Sequence, residues 1–184
     1  MTNMGVTVAI LEGETILLTL REDFEVWCMP GGEVDEGESL AEAARREVRE
    51  ETGLEVELTR LVGAYSRSGW RAHHIFQFAA RVIGGALTPD PREVLEAGFF
   101  PFDALPEPLI FGHEYRIADV ISGATGIVKT EVIDAPQSPT RAEIYALRDQ
   151  SGLSRRDFYL QNFPLLNTIQ VTTELAGIRP NEHP

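Results

Sequence analysis

The stretch from Gly31 to Leu54, GGEVDEGESLAEAARREVREETGL, constrains the fold more tightly than any other part of this chain. Pro30-Gly31-Gly32 halts the short apolar run Val26–Met29, as turn residues do. Ser39 and Glu42 have capping-box spacing, and Gly53 stands where a helix would end. Leu40, Ala44 and Val48 recur every four residues and mark one apolar stripe. The segment therefore predicts a glycine-rich loop entering a helix over Ser39–Thr52. On that helix Glu47, Glu50 and Glu51 are spaced i, i+3, i+4 and share one face. Three carboxylates so close repel one another unless a cation joins them. Their hard oxygens suit Mg²⁺ completed by water and phosphate. The structural reading of the same residues is a solvated acidic face.

Around this segment the chain reads as strands with a few helices. Val6 to Leu20 alternates about Gly13 and predicts a strand pair with a tight turn. Val56–Ser66 and Ala72–Ile83 predict two further strands, a loop follows over Gly84–Glu93, and Phe99–Phe102 predicts a short strand. Glu114–Ile121 predicts a second helix. The expected class is α+β with a mixed sheet. After Gly126 the character changes. Ala135–Pro139 looks like a connector, and Arg141–Arg148 and Ser154–Asn162 like short helices. We expect a domain over residues 1–125 and an extension over 126–184. The extension's apolar residues, Tyr145, Leu147, Phe158, Leu160, Phe163 and Leu165, should pack on the domain or on a second copy in a homodimer.

Charge narrows the partners. The formal net charge is −13, and Glu33–Gly53 supplies −5 of it, with eight carboxylates against three arginines. Such a surface disfavours nucleic acid and anionic membranes. No apolar run is long enough to span a bilayer, and the start MTNMGVTVAILEGETILL does not read as a signal peptide. A single cysteine, Cys28, excludes an intramolecular disulfide and fits a reducing, cytoplasmic setting.

The segment from Gly32 also resembles the signature of the Nudix hydrolases. That signature runs Gly, five residues, Glu, seven residues, Arg-Glu, an aliphatic, any residue, Glu-Glu, any residue, Gly, an aliphatic. Here Gly32, Glu38, Arg46, Glu47, Val48, Glu50, Glu51, Gly53 and Leu54 fill it throughout. The resemblance implies an α/β/α sandwich with mixed β-sheet, to which the residues after Gly126 add a C-terminal helical extension. It implies Glu47, Glu50, Glu51 and the Gly31 carbonyl as metal ligands, for Mg²⁺ or Mn²⁺. It implies that Gly32, Glu38, Arg46 and Gly53 are structural, with Glu38 and Arg46 pairing to brace the loop on the helix. The implied activity is hydrolysis of a diphosphate linkage in a small nucleoside diphosphate derivative, such as a nucleotide sugar, a dinucleotide or a nucleoside triphosphate. Metal neutralises the phosphate oxygens and acidifies a water, and a carboxylate removes the proton. Glu47 and Glu51 are the catalytic candidates inside the signature. Outside it, Glu93 and Glu96 compete for the role of base, and Glu93 is preferred because it sits nearer the loop.

For the rest of the substrate the candidates are Arg67, Trp70, Arg71 and Trp27, able to hold a phosphate or stack on a base. The alternatives are a surface loop for the first three and core packing for Trp27. Cys28 has no cationic neighbour in sequence to activate it, and no Cys or His cluster suggests zinc. Two rival functions stand beside hydrolysis. A non-catalytic nucleotide sensor need not keep a complete ligand set, and an isopentenyl-diphosphate isomerase would use Cys and Glu chemistry. The intact glutamates favour hydrolysis over both.

Overall fold

The fold is taken from a computed structural model, which describes residues 3–69, 72–133, 139–163 and 169–178. Trp70, Arg71, most of the expected connector and Leu165 lie outside these residues.

The expected hairpin forms from β1 (Asn3–Glu12) and β2 (Thr15–Arg21), turning at Gly13. Yet β1 and β2 pair only at their tips, Leu11 with Ile16 and Glu12 with Thr15. Further back, β1 exchanges β2 for the glycine loop: the Val6 and Val8 N–H groups donate to the Gly32 and Pro30 carbonyls at 2.9 and 2.8 Å. On its other edge β1 runs parallel to β5 (His73–Gly85). β5 pairs antiparallel with β4 (Leu54–Gly69), and β4 pairs parallel with β7 (Ile127–Ile133), which β8 (Ile169–Leu175) extends. β2 meanwhile pairs with β3 (Trp27–Cys28) and β6 (Val94–Pro101). The strands thus diverge from one hairpin tip into two groups, and a cleft opens between them at the glycine loop.

Helices cover both faces. Alternation along β1 sends Val6, Val8 and Ile10 to one face, where Ala43, Ala44 and Val48 of α1 (Leu40–Thr52) pack on them. Ala9 faces the other way, towards Ile117 and Val120 of α2 (His113–Ile121). Val48 is fully buried, a burial that contributes about 2 kcal/mol. Its replacement by aspartate would place an unpaired charge in this layer. The architecture is therefore the α/β/α sandwich with a mixed sheet.

The extension is not purely helical, a correction to the sequence reading. β7 and β8 belong to the sheet, while α3 (Arg141–Gln150) and α4 (Arg155–Asn162) are the two expected helices. Both helices start on capping side chains, Thr140 and Ser154. They dock through Phe24, whose ring lies 5.7 Å from that of Tyr145, 6.4 Å from Phe158, 6.1 Å from Tyr159 and 5.1 Å from Phe163. Arg148 and Arg155 donate to the Asp23 and Glu22 carbonyls in the turn between β2 and β3. No helix among the described residues is long and apolar enough to cross a membrane.

Candidate active site

Local sequence fixes both ends of α1, and a bond ties the helix to the glycine loop. Ser39 and Glu42 close the capping box, Gly53 ends the helix at φ 74°, and the Gly31 N–H donates to Glu51 Oε2 at 3.1 Å. Gly31 is required by close approach, since a Cβ there would run into the Val6 carbonyl and the Thr7 Cα of β1, whereas a Cβ at Gly32 would meet only the movable Glu47 carboxylate. The carbonyls on either side of Gly31 are bonded to β1, and extended alternation turns the Gly31 carbonyl the opposite way.

Arg46 organises the acidic face. Its Nε and one terminal nitrogen grip both oxygens of Glu38 at 2.9 Å each, and the same nitrogen reaches the Glu33 carbonyl at 3.0 Å. This fork ties the loop to the helix, as bidentate arginine–carboxylate pairs do. The other nitrogen sits between Glu47 (2.8 Å) and Glu50 (3.1 Å). One arginine therefore serves three carboxylates. Glu51 receives no arginine bond; it is 7% exposed, and burial pushes its carboxyl up to about 8. Burial likewise raises Glu47. The charge of Glu93 raises both of them further, so the turn before β6 brings Glu93 to this helix. Glu96 lies on β6 opposite Leu20.

A divalent cation suits this donor set. Hard carboxylate oxygens are its preferred ligands, and positive charge would reverse the raised Glu51 and Glu47 carboxyls. With Arg46 between Glu47 and Glu50, no three acidic, His or Cys groups among the described residues converge as a ready metal cage. A cation shared by Glu47, Glu50 and Glu51 would take over from the Arg46 nitrogen between the first two.

Beside the loop lies a cavity of about 430 Å³. It runs from Gly31 and Gly32 over β1 and β5 to Arg67 on β4, beneath His113 and Arg116 of α2. Arg141 and Tyr145 of α3 and Tyr159 of α4 close one side. Arg67 is thus a strand residue at the cavity, bonded to Glu131 at 3.0 Å, rather than a surface-loop residue. Trp27 does not line it. Its ring is buried in the core against Phe100, centroids 4.9 Å apart. Cys28 is buried and bonded to Thr19, and burial pushes its thiol up to about 11, which makes it a poor nucleophile. Arg21, Asp23, His113, Arg116 and Glu131 escaped the sequence reading because they come from four separate elements. Glu131 alone left a trace: alternation puts it on the same strand face as the buried Ile127 and Ile133.

The NUDIX domain profile matches residues 1–120 of the chain. The chain belongs to the Nudix hydrolase family. A Bacillus subtilis (strain 168) Nudix relative, provisionally named 8-oxo-dGTP diphosphatase, is 34% identical over 128 residues, covering 69% of this chain and 85% of the relative. An NAD-capped RNA hydrolase of Pectobacterium carotovorum is 35% identical over 106 residues, covering 55% of this chain but only 40% of that protein. Among solved structures, an ADP-ribose pyrophosphatase from Streptococcus suis superposes with a TM-score of 0.60 at 26% identity, over 71% of this chain and 99% of the other. Nudix hydrolases use divalent metal ions, and the glutamates and glycine loop described above carry this chain's copy of the family signature.

Proposed function

We propose that this Nudix chain is a Mg²⁺-dependent hydrolase, able to use Mn²⁺, that splits the diphosphate linkage of a small nucleoside diphosphate derivative. The observation that carries this reading is the set of Glu47, Glu50 and Glu51 on one helix face beside the Gly31 loop, which itself lines a cavity sized for a nucleoside. Glu47, Glu50, Glu51 and the Gly31 carbonyl would hold the metal. When bound, Mg²⁺ would neutralise the diphosphate oxygens and acidify the attacking water. Glu93 would accept that water's proton, and its charge coupling to Glu47 and Glu51 supports this role over Glu96. Glu38 and Arg46 position the loop against the helix without touching substrate. The products are a nucleoside monophosphate and the phosphorylated remainder.

Relatives named for 8-oxo-dGTP, ADP-ribose and NAD-capped RNA set the range of substrates to try. A net charge of −13 favours the small nucleotides over RNA. We further propose that residues 126–184 serve as an extension of the domain of residues 1–125. A homodimer and a cytoplasmic setting belong to the same reading. The edge position of β8 and the exposed Leu160, Leu175 and Ile178 support the first, and the lone Cys28 supports the second.

The test is formation of nucleoside monophosphate from a panel of nucleotide sugars, dinucleotides and nucleoside triphosphates with Mg²⁺ or with chelator. Metal-dependent turnover of at least one small nucleotide is expected. Binding without turnover across the panel would instead favour the nucleotide sensor.

A further inference from the structure

The far end of the cavity is built from charges that do not balance. Glu131 is fully buried and accepts from Arg67 on one oxygen, and from Arg116 and the Tyr115 hydroxyl on the other. Two arginines thus share one carboxylate, and both line the cavity. The pairs Lys129 with Asp119 and Arg21 with Asp23 leave this surplus untouched, each being balanced within itself. The Arg116 side chain is 1% exposed and that of Arg67 11%, so water disperses little of the surplus charge at the first and reaches the second only at the cavity wall.

His113 lines the same space. Its Nδ1 accepts from the Met29 N–H at 3.1 Å, which leaves Nε2 to carry the ring proton as a donor. Burial and the charges of Arg116, Arg21 and Arg67 hold this ring well below its ordinary value, as a region of positive potential would. On the opposite wall the Thr7 hydroxyl is buried and has no hydrogen-bond partner among the described residues. Buried polar groups without partners are costly, and a bound ligand is one remedy. Four of the chain's sixteen Lys and Arg residues, Arg21, Arg67, Arg116 and Arg141, line this one cavity against two carboxylates, Glu33 and the Asp23 that pairs with Arg21 and lies 3.9 Å from Arg141.

The sheet register gives the scale. Asn3, His73 and Arg67 form one row across β1, β5 and β4, and Gly32 lies against Gly5, two residues further along β1. Strand spacing and rise then set the Arg67 backbone about 16 Å from Gly32, a span that a nucleoside and the extended Arg67 side chain fill together.

We propose that Arg67 and Arg116, held by Glu131, form a subsite for a second anionic group, a phosphate or carboxylate carried on the part of the substrate remote from the attacked diphosphate. This rests on the cavity being the substrate site of the proposed hydrolase, and it narrows the substrate class to nucleotides with an extra anion about one nucleoside away. Arg67 touches that anion, while Glu131 is a positioning residue that fixes both guanidinium planes. Glu131 belongs to β7, beyond the segment matched by the family profile, so the extension would set specificity.

The test uses metal-free protein in chelator, where the glutamate face cannot recruit phosphate through a cation. Inorganic phosphate is titrated and the thermal midpoint followed, then adenosine 3′,5′-bisphosphate and adenosine 2′,5′-bisphosphate are each compared with AMP by calorimetry. Phosphate should raise the midpoint, and at least one bisphosphate should bind about tenfold more tightly than AMP, as a charge-assisted fork contact implies. Arg67→Gln should abolish both effects, Arg67→Lys should keep part of each, and Glu51→Gln should leave both intact. Absence of a phosphate shift together with equal AMP and bisphosphate affinities in the wild type would overturn the proposal without any variant. So would an Arg67→Gln protein that is less stable yet keeps the phosphate shift and the bisphosphate preference, because the network would then be purely structural. Should the nucleotide panel show no hydrolysis while the arginine-dependent binding persists, the hydrolase reading fails and the anion subsite stands.

Discussion

The two helices flanking the sheet each carry an ion cluster, and the clusters are unbalanced in opposite senses. On α1 a single Arg46 is shared by Glu38, Glu47 and Glu50, with Glu51 buried beside them. Across the sheet, a single Glu131 is shared by Arg67 on β4 and Arg116 on α2. The first cluster is half open to water and asks for a cation. The second is largely enclosed, reaches the cavity wall through its arginines, and carries the opposite surplus. A nucleotide diphosphate that carries a further anionic group would, with its metal, answer both surpluses, which is how the proposed subsite joins the two clusters. Isolated buried ion pairs contribute little net stability, whereas complementary surpluses aligned along one cavity are a means of recognition.

The comparison can be broken hardest at Glu51. Glu51→Gln should lower turnover by about two orders of magnitude or more while the thermal midpoint holds or rises, because the buried carboxyl is already disfavoured. Near-normal turnover in saturating metal would remove α1 from the chemistry. Next is Glu93→Gln, expected to reduce kcat on the order of tenfold to a hundredfold with little change in KM. The deficit should shrink as pH rises and hydroxide replaces the base. A deficit in Glu96→Gln with Glu93→Gln normal would transfer the role. Smaller still is Glu38→Gln, which frees Arg46 from the loop. It should weaken metal binding about tenfold, as loss of an orienting partner does, and unchanged affinity would reduce the Glu38–Arg46 fork to a surface pair.

The smallest effect is one of pH. Glu51 has an ordinary value of 4.5 and is pushed up to about 8 in the folded chain. A raised carboxyl favours the fold below 4.5, and that advantage is lost progressively as pH rises through about 8. In chelator, the wild-type thermal midpoint should therefore fall over this window more steeply than that of Glu51→Gln, and parallel curves would contradict the burial argument.

These two regions also differ in how far the sequence reveals them. The cation end is contiguous: loop, cap, apolar stripe and acidic face all lie between Gly31 and Leu54, where local spacing and helix periodicity determine which side chains meet. The second helix and the two extension helices were legible for the same reason. The anion end is assembled from β4, α2 and β7, and no local rule reports that Arg67 and Arg116 will find Glu131 more than sixty and about fifteen residues away. Trp27 shows the converse limit. A tryptophan beside a glycine loop suits base stacking and core packing equally, and only the position of Phe100 decides for the core. The strands of the extension were missed because IVKTEVI and IQVTTEL lie among polar, proline-bearing segments, and their pairings, β7 with β4 and β8 with β7, are long-range.

The central claim, that the α1 glutamates bind the catalytic cation, is tested most directly by calorimetric titration of Mg²⁺ into wild-type, Glu51→Gln and Glu96→Gln proteins without nucleotide. The account predicts that wild type and Glu96→Gln bind alike while Glu51→Gln binds at least tenfold more weakly. Equal Mg²⁺ affinity in all three proteins would contradict it.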